Sequence, residues 1–397
     1  MVEKDRSIIV KKTYLLKMLP PLYQTNLENQ LSEAQFLFLN LLINVLQDIK
    51  EVSLEKIANA LAIPIFFESR RKKIQRFLSL PILNIQSIWF PIIETWLNQK
   101  FSENQRIYLV IDRTKWQRNN LMMISLIYDQ RAIPIYWEFL SRLGNSNFDE
   151  QSKIFSQVLP LFNKYQTVVL GDREFCSVKL ANWLSQQKVQ FCLRLKKSEF
   201  IQYKDGIWHS LDSLGLKAGV SLFLQNIKVT KSQKVPGFNI AAKWKRKLKG
   251  WSTKEGWFIL TNLTDITSAI NAYKKRFDIE EMFRDFKSGG YNLEDTNVSG
   301  NRLISLILII SFAYSMSTFQ GQKIKRIGVQ KYVARIKEYG RVTRRHSSFY
   351  VGLYSQTWVS FIDNCWCIVQ KLMILHRNKL EYYLRGMRAM ELILSTF

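Results

Sequence analysis

The sequence predicts a mixed α/β protein, in which a mixed five-stranded sheet with helices is interrupted by a mostly β insertion and flanked by helical regions. Three patterns along the 397 residues predict this fold. Short apolar strands alternate with helices over residues 101–199, and short alternating strands with turns fill residues 200–263. Apolar residues at helical spacing dominate residues 1–100, 264–320 and 321–397. We therefore expect a compact protein whose insertion forms its one lobe.

The first 100 residues are predicted to be a helical DNA-binding region. Ser32 and Ser53 each precede an apolar helical pattern, as helix-capping residues do. The segment 68–78 that follows is strongly basic. A short helix, a turn and a basic helix are typical of a helix-turn-helix that reads DNA bases. A helical bundle whose basic face contacts only phosphates explains the same pattern, and the sequence favours neither interpretation.

Two strands of the predicted sheet end in an aspartate. The strand 106–112 ends at Asp112, and the strand 167–172 ends at Asp172. The other elements predicted for this part of the chain are strands at 121–128, 132–137 and 190–196 and helices at 149–165 and 178–187. Three strands followed by helix, strand, helix and strand is the order of an RNase H-like core. In that order the two aspartates lie on adjacent central strands, so their carboxylates meet at one edge of the sheet.

The helix predicted after the insertion carries an unusual row of polar side chains. On one continuous helix from about residue 266 to residue 287, four side chains fall within an arc of about 60°, beside an apolar face. They are Tyr273, Arg276, Glu280 and Lys287. A helix that crosses the edge at which the two aspartates meet brings Glu280 within their reach.

Three converging carboxylates indicate a metal site. They repel one another unless cations lie between them, and hard oxygen ligands with open positions suit Mg²⁺ or Mn²⁺. Two such ions can activate a water or a 3′-hydroxyl and stabilise the leaving oxygen in an in-line phosphoryl transfer. The sequence therefore predicts phosphoryl-transfer chemistry at this edge.

The composition points to a polyanionic partner. The formal charge is +26, from 58 Lys and Arg against 32 Asp and Glu, and the basic residues occur in every segment. Nucleic acid is the first candidate for the partner and an anionic membrane surface is the second. The four cysteines and three histidines lack the spacing of a zinc site.

No membrane span and a cytoplasmic location are expected. The apolar segment 303–318 is shorter than the roughly 20 residues of a span and contains three serines, so we predict a core helix there. The amino terminus lacks the apolar run of a signal peptide. A reducing cytoplasm follows from both observations.

These motifs resemble bacterial insertion-sequence transposases of the DDE type, in the cut-and-paste group with a β insertion between the second aspartate and the glutamate. The similarity covers residues 100–320 well, whereas the amino-terminal helices are similar in character only. The matching segments are Asp112-Arg-Thr114, Gly171-Asp172-Arg-Glu, and the signature Tyr273-(2)-Arg276-(3)-Glu280-(6)-Lys287.

The resemblance implies roles for the catalytic residues. Asp112, Asp172 and Glu280 would be the ligands of two Mg²⁺ or Mn²⁺ ions. Arg276 and Lys287 would hold phosphates near the scissile bond.

The resemblance also implies a site for a flipped base. Tyr273 would hydrogen-bond to the DNA backbone close to that base, and Trp257 would stack on it. A tryptophan that begins an apolar strand is usually a core residue, and Trp251 is a nearby rival for the stacking role.

The resulting hypothesis is a transposase of a bacterial insertion sequence, associated with the nucleoid. It would bind the terminal inverted repeats of its element as double-stranded DNA and pair two ends in a homodimer. It would cut the DNA, with a hairpin intermediate, and join the freed 3′-hydroxyl to target DNA. Two alternatives are a structure-selective nuclease on the same core and a catalytically silent, transposase-derived DNA-binding protein.

Overall fold

The structure is a computed structural model that describes residues 19–202, 206–230, 235–246, 255–340 and 345–396. The amino-terminal region is helical. Its helices are α1 (Pro21–Glu28), α2 (Glu33–Ile49), α3 (Leu54–Ala60), α4 (Phe67–Leu78) and α5 (Phe90–Lys100), with a π-helical turn (Ile85–Trp89) before the last. Ser32 begins α2 with a reciprocal pair of hydrogen bonds to Gln35, and the Ser53 side chain accepts a hydrogen bond from the Lys56 backbone at the start of α3. Both serines therefore begin helices as predicted.

The predicted RNase H-like core is present. Its elements are β1 (Arg106–Trp116), β2 (Asn119–Tyr128), β3 (Arg131–Phe139), α6 (Phe148–Val158), β4 (Gln166–Gly171), α7 (Val178–Gln186) and β5 (Gln190–Arg194). The strand order is β3-β2-β1-β4-β5. The first three strands pair antiparallel, whereas β4 pairs parallel with both β1 and β5. β1 and β4 are neighbours, as the order of elements predicts.

Most predicted boundaries in this core differ from the structure by one or two residues, and two differ by more. β1 does not end at Asp112, because it continues in antiparallel pairing with β2 as far as Trp116. Its parallel pairing with β4 ends one residue before Asp112, so the carboxylate still lies at that edge. Helix α6 ends at Val158 instead of reaching residue 165, and a 3₁₀ turn (Leu159–Phe162) follows. Pro160 in that turn has no backbone N–H with which to continue an α-helix.

The insertion does not form a lobe with a sheet of its own. Its strands are β6 (Phe200–Gln202), β7 (Trp208–Ser210), β8 (Ser221–Val229), β9 (Val235–Lys243) and β10 (Trp257–Thr261). β10 pairs antiparallel with β5, so the insertion extends the core sheet to ten strands in the order β3-β2-β1-β4-β5-β10-β9-β8-β6-β7. The outer edge of β5 offers unpaired backbone groups that β10 satisfies.

The helix predicted over residues 266–287 is two helices, α8 (Ile266–Lys274) and α9 (Phe277–Phe286). The backbone N–H groups of Lys275 and Arg276 bond to carbonyls three residues earlier, and those of Asp278 and Ile279 do the same. These short-range bonds tighten the chain into a turn where four-residue bonds would have continued one helix. The row of polar side chains therefore spans a break.

The remaining helices are α10 (Asn301–Arg326), α11 (Gln330–Val333), α12 (Ser348–Leu375) and α13 (Leu380–Leu394). With 26 residues, α10 is longer than predicted and reaches the length and hydropathy of a membrane span, but 83% of its most apolar window is buried inside the protein. The two halves of α12, bent by 82°, meet the same criterion only when taken together. The expectation of a core helix over 303–318 therefore depends on burial and not on length.

Candidate active site

Three carboxylates approach one another where β1 and β4 meet α9. Asp112 lies on β1, Asp172 directly follows β4, and Glu280 lies in the first turn of α9. The buried face of α9 packs onto the sheet, with the Met282 sulfur 3.6 Å from the Ser125 hydroxyl of β2. This packing brings Glu280 to the two aspartates, as the sequence predicts.

The ionisation of Asp112 depends on both of the other carboxylates. Burial raises the pKa of Asp112 to about 6, while its hydrogen bond from the Arg113 backbone and the charge of Arg276 act in the opposite direction. The negative charges of Glu280 and Asp172 raise it further. A carboxyl that senses both neighbours in this way is part of one electrostatic cluster.

Arg276 lies at the centre of this cluster. Its Nη1 donates to Asp112 Oδ2 at 3.3 Å, and its Nη2 donates to Glu280 Oε1 at 2.6 Å. The side chain is only 4% exposed, and the guanidinium carbon lies 4.6 Å from the centre of the Phe277 ring. One buried cation therefore bridges two carboxylates that come from different parts of the chain.

Asp172 has a separate set of partners. The buried Tyr273 hydroxyl donates to Asp172 Oδ1 at 3.2 Å, and Arg194 Nη1 lies 3.7 Å from the same oxygen. Burial raises the pKa of Tyr273 well above its usual range, so the phenol keeps its proton and can donate it. Glu255, on the insertion, pairs with Arg194 at 2.6 Å and also with Arg173.

The chemistry of the donor atoms, though not their present arrangement, fits a hard divalent cation. Carboxylate oxygens are the ligands that Mg²⁺ and Mn²⁺ prefer, and the cluster already requires a positive charge at its centre. Within the described ranges, no three acidic, histidine or cysteine side chains are placed to bind one metal ion together. The guanidinium of Arg276 lies between Asp112 and Glu280, so an ion bound by both carboxylates would have to displace it.

Lys287 lies at the far end of α9. Its ammonium donates to the Lys115 carbonyl at 3.0 Å, pairs with Glu294 at 2.6 Å, and lies 5.9 Å from the Trp116 ring. These partners place it beside the end of β1, three residues beyond Asp112. Lys287 therefore lies outside the carboxylate cluster, next to Lys115 of the same strand that carries Asp112.

Trp257 lies at the start of β10, beside a cavity of about 240 Å³. Its ring contacts that of Tyr273 edge to face, with centroids 5.1 Å apart, and one side of it borders the cavity. The other lining residues are Lys243, Lys245, Glu255, Ile270 and Lys274. An aromatic ring beside three lysines is suited to a nucleotide. The rival Trp251 lies outside the described residues.

Sequence reasoning missed a buried ion pair that joins the two aspartate segments. Arg113 Nε and Nη2 donate to the two carboxylate oxygens of Glu174, each at 2.6 Å, and the side chains are 7% and 18% exposed. Arg113 directly follows Asp112, and Glu174 lies two residues after Asp172. Both residues belong to the recognised motifs, but nothing in their sequence spacing indicates that they pair.

A family model described as a transposase DDE domain matches residues 113–316, just over half of the 397-residue chain. The chain belongs to this family. The matched segment contains Asp172 and Glu280 and begins directly after Asp112. The identification of a DDE transposase from the sequence motifs is therefore confirmed, and the protein is a DNA-cleaving transposase of a family that generally uses divalent metal ions.

Similar solved structures include a piggyBac transposase in a synaptic complex with hairpin DNA, at 11% identity and a TM-score of 0.42, covering 86% of this chain and 76% of that one. They also include the Argonaute of Marinitoga piezophila with guide RNA and target DNA, at 12% identity and a TM-score of 0.21, covering 55% of this chain and 32% of that one. No curated protein matches the sequence.

Proposed function

We propose that this transposase moves an insertion sequence by cutting and joining DNA with two divalent ions, Mg²⁺ or Mn²⁺. It binds the terminal inverted repeats of its element and inserts the freed ends into target DNA. The observation that carries this proposal is the cluster of Asp112, Asp172 and Glu280 around a buried cation, with two of the carboxylates inside the matched domain and Asp112 directly before it.

In this proposal Asp112, Asp172 and Glu280 would hold the metal ions, which when bound would supply an activated water or 3′-hydroxyl and stabilise the leaving oxygen. Arg276 holds Asp112 and Glu280 together before the ions bind. Once displaced, its planar guanidinium can donate two hydrogen bonds to a phosphate of the scissile strand. Lys287 contacts the same strand further along, as its position beside the end of β1 allows.

We place a flipped base in the cavity beside Trp257. The indole offers a stacking surface that accepts any base, and Lys243, Lys245 and Lys274 supply positive charge for its phosphates. Tyr273 contacts both the Trp257 ring and Asp172, so it connects this cavity to the metal site. A base held there supports cleavage through a hairpin intermediate.

We further propose that a homodimer pairs the two ends of the element in the bacterial cytoplasm, at the nucleoid. The described part of α12 and α13 exposes several large apolar side chains, which a second copy could cover. The most exposed are Phe361, Ile368, Ile374, Leu375 and Tyr382, each at 63–77%.

The test is to incubate the full chain with a labelled duplex that carries the element's own end and an unlabelled target duplex, with and without Mg²⁺ or Mn²⁺. A metal-dependent 3′-hydroxyl at the element's boundary, followed by joining to the target, is the result that the proposal requires. Cutting without joining would identify a structure-selective nuclease. Binding without cutting would identify a catalytically silent DNA-binding protein.

A further inference from the structure

The exposed surface at the start of α4 has a composition unusual for a surface in contact with water. Ile65 is 41% exposed and Phe66 is 87% exposed, and among the large apolar side chains of the described residues only Tyr339 exceeds Phe66. The helix itself is anchored, since its Ile74 and Phe77 side chains are buried in the core. The helix is therefore held firmly while its apolar tip remains in solvent, which marks a contact site.

Cations continue from this tip along the exposed face of α4. Lys73 and Arg76 follow the tip by about two and about three turns of the helix. Both side chains are exposed, with the Lys73 ammonium 5.0 Å from the centre of the Phe38 ring. An apolar tip and exposed cations thus lie along one short helix, and we call Ile65, Phe66, Lys73 and Arg76 together the α4 surface.

Arg70, the first cation of the helix, points elsewhere. Its Nε donates to the Ala58 carbonyl and its Nη1 donates to the Ile65 carbonyl, both at 2.7 Å. These two bonds tie the end of α3 to the residue before Phe66. Arg70 therefore fixes the position of the apolar tip, and its guanidinium is engaged in doing so.

We infer that the α4 surface enters the major groove of duplex DNA, where Ile65 and Phe66 select the sequence by apolar contact with thymine methyl groups, and Lys73 and Arg76 hold phosphates. Thymine methyls are the apolar feature of that groove, and residues at the start of a recognition helix contact bases. The row of cations favours a polyanion over an apolar protein surface as partner. The inference rests on the proposed function and selects the helix-turn-helix interpretation over the phosphate-binding bundle.

The test compares the full-length wild type, Phe66→Ala and Lys73→Ala on duplexes selected by the wild type from a random-sequence pool. The ratio of affinities for selected and random duplex should be about 5- to 140-fold smaller for Phe66→Ala than for the wild type, which is the effect of losing one base-pair contact. The affinity of Phe66→Ala for random duplex and the salt dependence should stay unchanged. Lys73→Ala should weaken both duplexes alike and reduce the slope of log affinity against log salt by about 0.9.

The outcomes separate this inference from the proposed function. If the wild type binds no duplex, the proposed function fails. If it selects a sequence and Phe66→Ala keeps the full preference, only the present inference is overturned. If Phe66→Ala changes the oligomeric state and not the preference, the tip contacts a second copy and the inference is again overturned. Because Phe66 is 87% exposed, its removal should leave the melting temperature of the protein unchanged.

Discussion

Loss of either partner of the buried pair of Arg113 and Glu174, which joins the segments that carry Asp112 and Asp172, should destabilise the protein strongly. Two hydrogen bonds of 2.6 Å connect the side chains. Arg113 also donates to the Asn120 side chain at 2.8 Å, so the pair holds β2 as well as the two aspartate segments. Removing either partner leaves the other charge largely shielded from water and without its ionic partner.

We expect Arg113→Ala to lower the free energy of unfolding by about 3–5 kcal/mol, the cost of leaving a buried charge unpaired. Glu174→Ala should cost a similar amount, and the double variant should cost much less than the sum of the two. Arg142 provides the matched control, because it also pairs with a glutamate, Glu150, but its own side chain is 51% exposed. Arg142→Ala should cost less than about 1 kcal/mol.

Urea unfolding followed by circular dichroism measures all of these values. The reasoning would be refuted if Arg113→Ala cost no more than Arg142→Ala, or if the effects of Arg113→Ala and Glu174→Ala added without coupling. Either result would mean that water, and not the partner side chain, solvates these charges.

Three further predictions concern other parts of the molecule. Burial raises the pKa of Asp285 to about 7. The protonated carboxyl therefore stabilises the folded protein fully below about pH 4, and this stabilisation is lost as the pH rises through 7. Wild type should lose about 2–3 kcal/mol more stability than Asp285→Asn between pH 5 and pH 7, measured by urea unfolding. At the crossing of α10 and α12, a methyl group added at Gly352 would overlap the Ser317 carbonyl, so Gly352→Ala should lower the free energy of unfolding by about 3 kcal/mol or more. Gly386 of α13 has open space around it, so Gly386→Ala should raise the free energy of unfolding by up to about 1 kcal/mol. Thermal unfolding of the two variants measures both effects. Trp257→Ala should weaken binding of a duplex with an unpaired fluorescent base by about 1–3 kcal/mol while Trp257→Phe retains most of it, and equal loss in both would rule out stacking.

The core of the fold was predictable because it depends on local patterns. Apolar runs that end in Asp112 and Asp172, together with the order of strands and helices, sufficed to predict that β1 and β4 are neighbours. The position of Glu280 followed from the apolar face of its helix, which packs on the sheet as expected. The metal-binding role of these residues stays a prediction.

Features that depend on long-range contacts were not predictable. No proline or glycine marks the break at Lys275 and Arg276, so the sequence reads as one helix through a turn of three-residue hydrogen bonds. The pairing of β10 with β5 depends on which strand reaches the free edge of the core sheet. The periodicity of a sequence predicts strands but not their partners. Arg113 and Glu174 lie 61 residues apart, and only the fold shows that they pair.

The central claim is that Glu280 binds a catalytic metal ion, and its neighbour provides the control. Glu281 is adjacent in sequence but pairs with Arg284 and approaches Arg131, away from the cluster. The most direct measurement is metal-dependent cleavage of the element's end by Glu280→Ala and by Glu281→Ala. Glu280→Ala should bind the DNA and cut it at least about 100-fold more slowly, because several kcal/mol of charge stabilisation is lost, whereas Glu281→Ala should cut like wild type. Equal cleavage by the two variants would contradict the proposed metal site.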